Sequence, residues 1–354
     1  MTPWDQLAES LREAKVNALV VSGMPNVRYL TGFTGSSALV LAMRGEAVFF
    51  TDGRYKLQAA QEVRGAKVVT ARGPLVTALA GSVKRRRLRK LGFESHRASY
   101  GLYESLRNGL PGVGLKPLSG VVEKIRAVKT PDEIAALRRA VDLNSAVFEA
   151  CLPHVQAGRT ERDVADEIEF EMRRRGGDKP AFETIVAAGT HSAYPHARPG
   201  LNPLKRNEFI IIDQGVILNG YSSDMTRTVA LGGLGREAVR VYHAVLEAQQ
   251  AAIAAVRPGI RAAEVDRQAR MVLQQHGLEK AFVHSTGHGV GLEIHEPPRL
   301  GRREKTRLES GMVITIEPGV YLEGFGGVRI EDMVAVTPAG CEILTATPKE
   351  LRVL

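Results

Sequence analysis

Residues 212–221 read IDQGVILNGY, and residues 316–325 read IEPGVYLEGF. Laid over one another at an offset of 104, their glycines and apolar positions coincide, and Asp213 falls on Glu317. A second match lies upstream: VQAGRTERDV (155–164) beside VRPGIRAAEV (256–265), at an offset of 101. Helical stretches flank both copies and end near Gly176 and Gly277. Either match alone would be unremarkable in short apolar segments. Two in the same order at nearly the same offset predict a duplicated α+β domain, each half running helix, helix, then strands. A cleft between two such halves is a natural place for a site.

That domain has a sharp beginning. Thr130-Pro131-Asp132-Glu133 supplies an N-cap hydroxyl, a proline at the first helical position and a capping-box glutamate. Upstream, residues 18–22 (ALVVS), 38–42 (ALVLA) and 47–51 (AVFFT) are short apolar runs bounded by turn residues, as buried strands are. Residues 77–89 and 100–108 are predicted helices. The reading is a smaller α/β domain over residues 1–125, followed by the duplicated α+β domain over 126–354.

Composition agrees with two soluble domains. The chain has 354 residues, 44% of them hydrophobic and 25% charged. Two cysteines, Cys151 and Cys341, make no disulfide framework and fit a reducing compartment. The start, MTPWDQLAESLREAK, lacks an apolar signal core, and no run approaches the roughly 20 apolar residues that span a bilayer. The expectation is a cytoplasmic protein with no membrane partner. The net charge of +9 and the run KRRRLRK (84–90) raise the question of nucleic acid. The run is local, and arginine is abundant throughout, so a solvated basic surface is expected, not a nucleic-acid partner.

The acids and histidines carry the chemistry. FIIIDQG (209–215) puts Asp213 at the end of an apolar strand, and Asn219-Gly220 is a type I′ hairpin signal. That turn pairs Leu218 with Tyr221 and sets Asp213 opposite Thr226. Asp224 then shares a face with Asp213 at a diagonal spacing of roughly 7–8 Å. Two such carboxylates repel unless a cation or proton intervenes. MVITIEPG (312–319) repeats the logic for Glu317, and Glu331 follows on a predicted returning strand over 328–331, sharing a face with Arg329. Between the acids lies VHSTGHGVGLEIHEPP (283–298), with His284, His288 and His295. Oxygen-rich ligation with one imidazole suits Mn, Co, Zn or Fe(II). Turn-capping or salt-bridged aspartates are the plainer alternative for the first pair.

This pattern resembles the pita-bread metallopeptidases, which include prolidases, aminopeptidase P and methionine aminopeptidase. The resemblance implies that Asp213, Asp224, His288, Glu317 and Glu331 hold two divalent metal ions per chain. Manganese is the first choice, with cobalt, zinc or iron as alternatives. It further implies that Asp224 and Glu331 bridge both ions, that a hydroxide between them is the nucleophile, and that Glu317 helps move its proton. MPNVRYLTGFTGS (24–36) and TDGRY (51–55) are similar to the creatinase/prolidase N-terminal domain. Arg329, two residues before Glu331, and YPHARP (194–199) point to the proline-specific branch. By the same resemblance His196, His284, His295 and Arg329 bind substrate. His295 would also act on the developing oxyanion, and His284 would be catalytic.

The implied function is cleavage of the Xaa-Pro bond, first of dipeptides, as in a prolidase. Aminopeptidase P activity on longer Xaa-Pro peptides is the alternative. A basic binding module for nucleic acid or protein is disfavoured because all five ligand positions are filled. The resemblance also suggests a homodimer. Arg299, Arg302 and Arg303 are candidates to bind the free carboxylate of a dipeptide.

Overall fold

In a computed structural model that describes residues 2–354, the chain divides into two compact units, Met1–Arg126 and Ala127–Leu354. The first is built on a six-stranded sheet. Its strands are β1 (Ala18–Val21), β2 (Ala38–Met43), β3 (Glu46–Asp52), β4 (Lys67–Ala71), β5 (Lys90–Glu94) and β6 (Gly114–Leu118), in spatial order β4-β3-β2-β1-β5-β6. Only β2 runs against its neighbours. Successive side chains enter opposite layers, as a strand's period of two requires. Val40 and Phe49 pack with Leu7, Leu11 and Val122, while Leu39, Leu41, Val48 and Phe50 pack with Leu79, Leu91 and Leu106. The helix expected over residues 77–89 spans Leu75–Arg85 instead. The chain leaves it through Arg87, at φ 55°, and enters β5 at Lys90, so the basic run is shared between a helix end and a strand.

The second unit shows the duplication as physical layers. A helix over Pro131–Cys151 opens with the expected capping box and pairs with a helix over Glu161–Arg174. Their apolar faces, including Phe148, Val164, Ile168 and Met172, pack on Ile210, Ile212 and Val229. The strands here are β7 (Lys179–Pro180), β8 (Ile185–Ala188), β9 (Glu208–Gln214), β10 (Val216–Leu218), β11 (Tyr221–Ser222) and β12 (Met225–Leu231). A second helix pair, Arg236–Ala255 and Ala262–Gln275, covers the other half through Val245, Ala248, Val265 and Leu273. Its strands are β13 (Gly287–Gly289), β14 (Glu296–Leu300), β15 (Val313–Ile316), β16 (Gly319–Leu322), β17 (Gly326–Arg329), β18 (Asp332–Thr337) and β19 (Gly340–Ile343). The last strand, β20 (Arg352–Val353), returns to pair with β12.

Each half therefore contains the same strand run, β9 to β12 in one and β15 to β18 in the other. In both, an inner hairpin departs from the main sheet at the point where an acid sits. The predicted register is present: Leu218 faces Tyr221, and Asp213 faces Thr226. Asn219 and Gly220 both adopt positive φ, as a type I′ turn requires. Glu331 differs slightly from expectation. The strand ends at Arg329 and the next begins at Asp332, so Glu331 occupies the step between them, as Asp224 does between β11 and β12.

Candidate functional site

Local backbone chemistry puts these side chains together. Gly287 and Gly289 lie where neighbouring backbones crowd in. A Cβ at Gly287 would stand 1.9 Å from the Thr315 carbonyl oxygen, and one at Gly289 would stand 2.3 Å from that of Pro297. Their lack of a side chain lets β13 lie between β14 and β15 and carries His288 to the acids.

His288 Nε2 lies 3.5 Å from Asp224 Oδ2 and 3.5 Å from Glu317 Oε1. One ligand atom each from Asp224, His288 and Glu331 falls within 4.8 Å of the others. Thr226 sits under the cluster, donating its hydroxyl to Glu331 Oε2 at 2.8 Å and accepting from Arg329 Nε at 3.1 Å. Arg329 continues to Asp213, its Nη2 donating to Oδ2 at 2.7 Å. The other Asp213 oxygen is buried and, among the described residues, has no hydrogen-bond partner.

The electrostatics of this packing are severe. Burial, then repulsion from Glu331, Asp213 and Glu317, pushes the Asp224 carboxyl well above its ordinary range. Burial raises Glu331 in the same direction, reinforced by Glu317 and Asp213, and lifts Glu317 to about 8. Burial lowers His288 to about 4, so the imidazole stays neutral and Nε2 keeps a lone pair, while Nδ1 faces the Gly289 carbonyl at 2.9 Å. Mutually repelling carboxylates, a neutral imidazole and an unsatisfied buried carboxylate oxygen form a donor set suited to a hard or borderline divalent cation.

A cavity of about 920 Å³ opens above the cluster. All nine residues that the resemblance assigns to metal, substrate or catalysis line it: Asp213, Asp224, His288, Glu317, Glu331, His196, His284, His295 and Arg329. His295 stacks edge-on against His288 with ring centroids 4.4 Å apart, and burial lowers its pKa. His284 faces inward protein partners at both nitrogens: Nδ1 is 2.8 Å from the Ser285 carbonyl, and Nε2 is 2.9 Å from the Tyr321 hydroxyl. Tyr321 in turn accepts from Arg329 Nη1 at 2.6 Å, and burial pushes its own pKa to about 12. Tyr321 and Thr226 were not singled out from sequence. Tyr321 stands four residues after Glu317 inside the matched repeat, which was the available signal.

Residues 135–338 match metallopeptidase family M24, and residues 3–128 match the creatinase/prolidase N-terminal domain. The chain belongs to metallopeptidase family M24. A protein described as an Xaa-Pro dipeptidase, from Pyrococcus horikoshii, is 34% identical over 98% of this chain and 97% of its own. The solved structure of an Xaa-Pro dipeptidase from Bacillus anthracis matches with a TM-score of 0.97 at 38% identity, covering 99% of each chain. That of an X-Pro aminopeptidase from Thermotoga maritima matches with a TM-score of 0.91 at 32% identity, covering 98% of this chain and all of the other. This M24 protein is thus a metal-dependent peptidase. Among its described residues no helix is long and apolar enough to cross a membrane.

Proposed function

We propose that the protein hydrolyses the Xaa-Pro bond of dipeptides, with Asp213, Asp224, His288, Glu317 and Glu331 holding two divalent ions, manganese first. When bound, such ions polarise a carbonyl oxygen and bring a water's pKa toward neutrality. The protein's residues do the rest. Glu317 is placed to take a proton from the attacking water and return it to the leaving proline nitrogen. Beside a bound cation the Glu317 carboxyl would fall from its raised, buried pKa and serve as a base. His295, neutral because of burial, donates to the carbonyl oxygen as charge grows there. His196 and His284 flank the substrate, and Arg329 holds Asp213 in place.

The observation that carries the dipeptide assignment is a cation at the cavity wall. Of the three candidate arginines, Arg299 lines the cavity, whereas Arg302 is engaged by Glu279. A guanidinium there suits capture of the free carboxylate of a dipeptide. Similarity to an Xaa-Pro dipeptidase over nearly full length supports the same reading.

Similarity to an X-Pro aminopeptidase keeps a second reading, the same bond in longer peptides. Rates on Ala-Pro against Ala-Pro-Ala with added manganese separate them. Faster cleavage of Ala-Pro supports the dipeptidase. Cleavage of Ala-Pro-Ala alone supports the aminopeptidase, and cleavage of Met-Ala while both are spared removes the proline assignment.

A further inference from the structure

Glu161 is the first residue of the Glu161–Arg174 helix, where a carboxylate ordinarily serves the exposed helix start. Here that task is already done. Thr160 and Asp163 form a complete capping box, and the Glu161 side chain is wholly buried. Its carboxylate instead gathers one loop. Oε1 accepts from Ala188 N at 2.9 Å and from Asn202 Nδ2 at 2.9 Å, and Oε2 accepts from Gly200 N at 3.2 Å. His191 Nδ1 reaches both oxygens, at 2.9 and 3.0 Å. The donors come from the two ends of a segment whose middle, Pro195 to Arg198, lines the cavity and carries His196.

The duplicated half supplies a control. At the offset of 101 that aligns the two helix starts, Glu161 falls on Ala262. That helix opens with no acid at this position, although the chain before β15 lies against its start in the same way: Ala262 N donates to the Thr306 carbonyl at 2.9 Å, as Glu161 N donates to that of Asn202 at 3.1 Å. The carboxylate is therefore not part of the repeated scaffold. It accompanies the half whose loop carries His196.

We propose that Glu161 is a positioning residue for peptide capture: by cinching residues 188 and 202 together, it holds His196 over the cavity. The inference rests on the reading of that cavity as the peptide site. Glu161→Gln puts an amide N–H against Gly200 N–H and removes the charge that strengthens every tether.

The test uses the full chain loaded with manganese and Ala-Pro as substrate, with bound metal, hydrogen exchange over residues 189–201, KM and kcat as readouts. Glu161→Gln is expected to keep its metal, speed exchange in the loop, and raise KM about tenfold while kcat stays within about threefold. Asn202→Ala, which removes one donor and leaves the helix intact, is expected to shift KM and exchange the same way by less. If Glu161 acts through His196, its substitution in a His196→Ala background changes KM by less than about twofold. An undiminished KM effect in that background would overturn the proposal. So would unchanged exchange, a His196→Ala variant with wild-type KM, or loss of metal and kcat at constant KM. If the wild-type protein cleaves no Xaa-Pro peptide, the peptide-site reading fails, and exchange in Glu161→Gln still decides whether the tether exists.

Discussion

Arg329 donates to Asp213 across 2.7 Å with both side chains nearly buried, so an acid lining the cavity is held by an arginine from the other half of the repeat. The guanidinium also reaches Thr226, Tyr321 and the Pro195 carbonyl. Breaking a buried pair by removing one partner costs about 3–5 kcal/mol. Arg329→Met is therefore expected to lower stability by that order in urea titration without metal. Added manganese should recover part of the loss by neutralising the acids. A variant as stable as wild type would show that the pair contributes nothing.

Gly287→Ala is expected to destabilise strongly, because the new Cβ would meet backbone 1.9 Å away with no flexible side chain to yield. Overpacking costs about 1–3 kcal/mol, and this site belongs at the upper end. Gly53→Ala is the matched control, since a Cβ there meets nothing within 4 Å. Thermal denaturation of the two variants should separate them clearly.

Arg227 lies under the Glu331 turn, donating to the Glu331 carbonyl at 2.6 Å and to Asp332 at 2.8 Å. Lys349 and Gln249 also serve Asp332, so its loss leaves that acid partly paired. Arg227→Gln should cost stability toward the lower end of about 3–5 kcal/mol. It should leave the ratio of Ala-Pro to Ala-Pro-Ala rates unchanged, because its own side chain does not line the cavity.

Burial holds His284 at about 4, below its ordinary 6.5. Between those values the unfolded chain takes up a proton that the folded chain refuses. The stability from neutral His284 is thus complete above pH 6.5 and falls as pH drops toward 4, by up to about 1.4 kcal/mol per pH unit. His284→Asn should flatten the stability profile in that window. An unchanged slope would assign the acid sensitivity elsewhere.

Much of this site was legible because its chemistry sits on short-range patterns. Asp213 and Glu317 end apolar runs, and the Asn219-Gly220 turn sets the register that brings Asp224 back beside Asp213. The duplicated spacing located both acid pairs. What stayed hidden depends on contacts between distant segments. Lys129 pairs with Glu296 inside the protein at 3.3 Å, across 167 residues, and no local pattern announces it. Glu161 occupies a helix start like many acids, and the donors that set it apart lie 27 to 41 residues away. The basic run misled the helix boundary because composition cannot reveal the positive φ at Arg87.

The central claim is that the buried acids and His288 exist to hold catalytic metal. The most direct measurement is bound manganese per chain together with Ala-Pro turnover, for wild type and Asp224→Asn. The account predicts close to two ions and turnover for wild type, and far fewer ions with no detectable turnover for the variant. Full turnover by Asp224→Asn would contradict it.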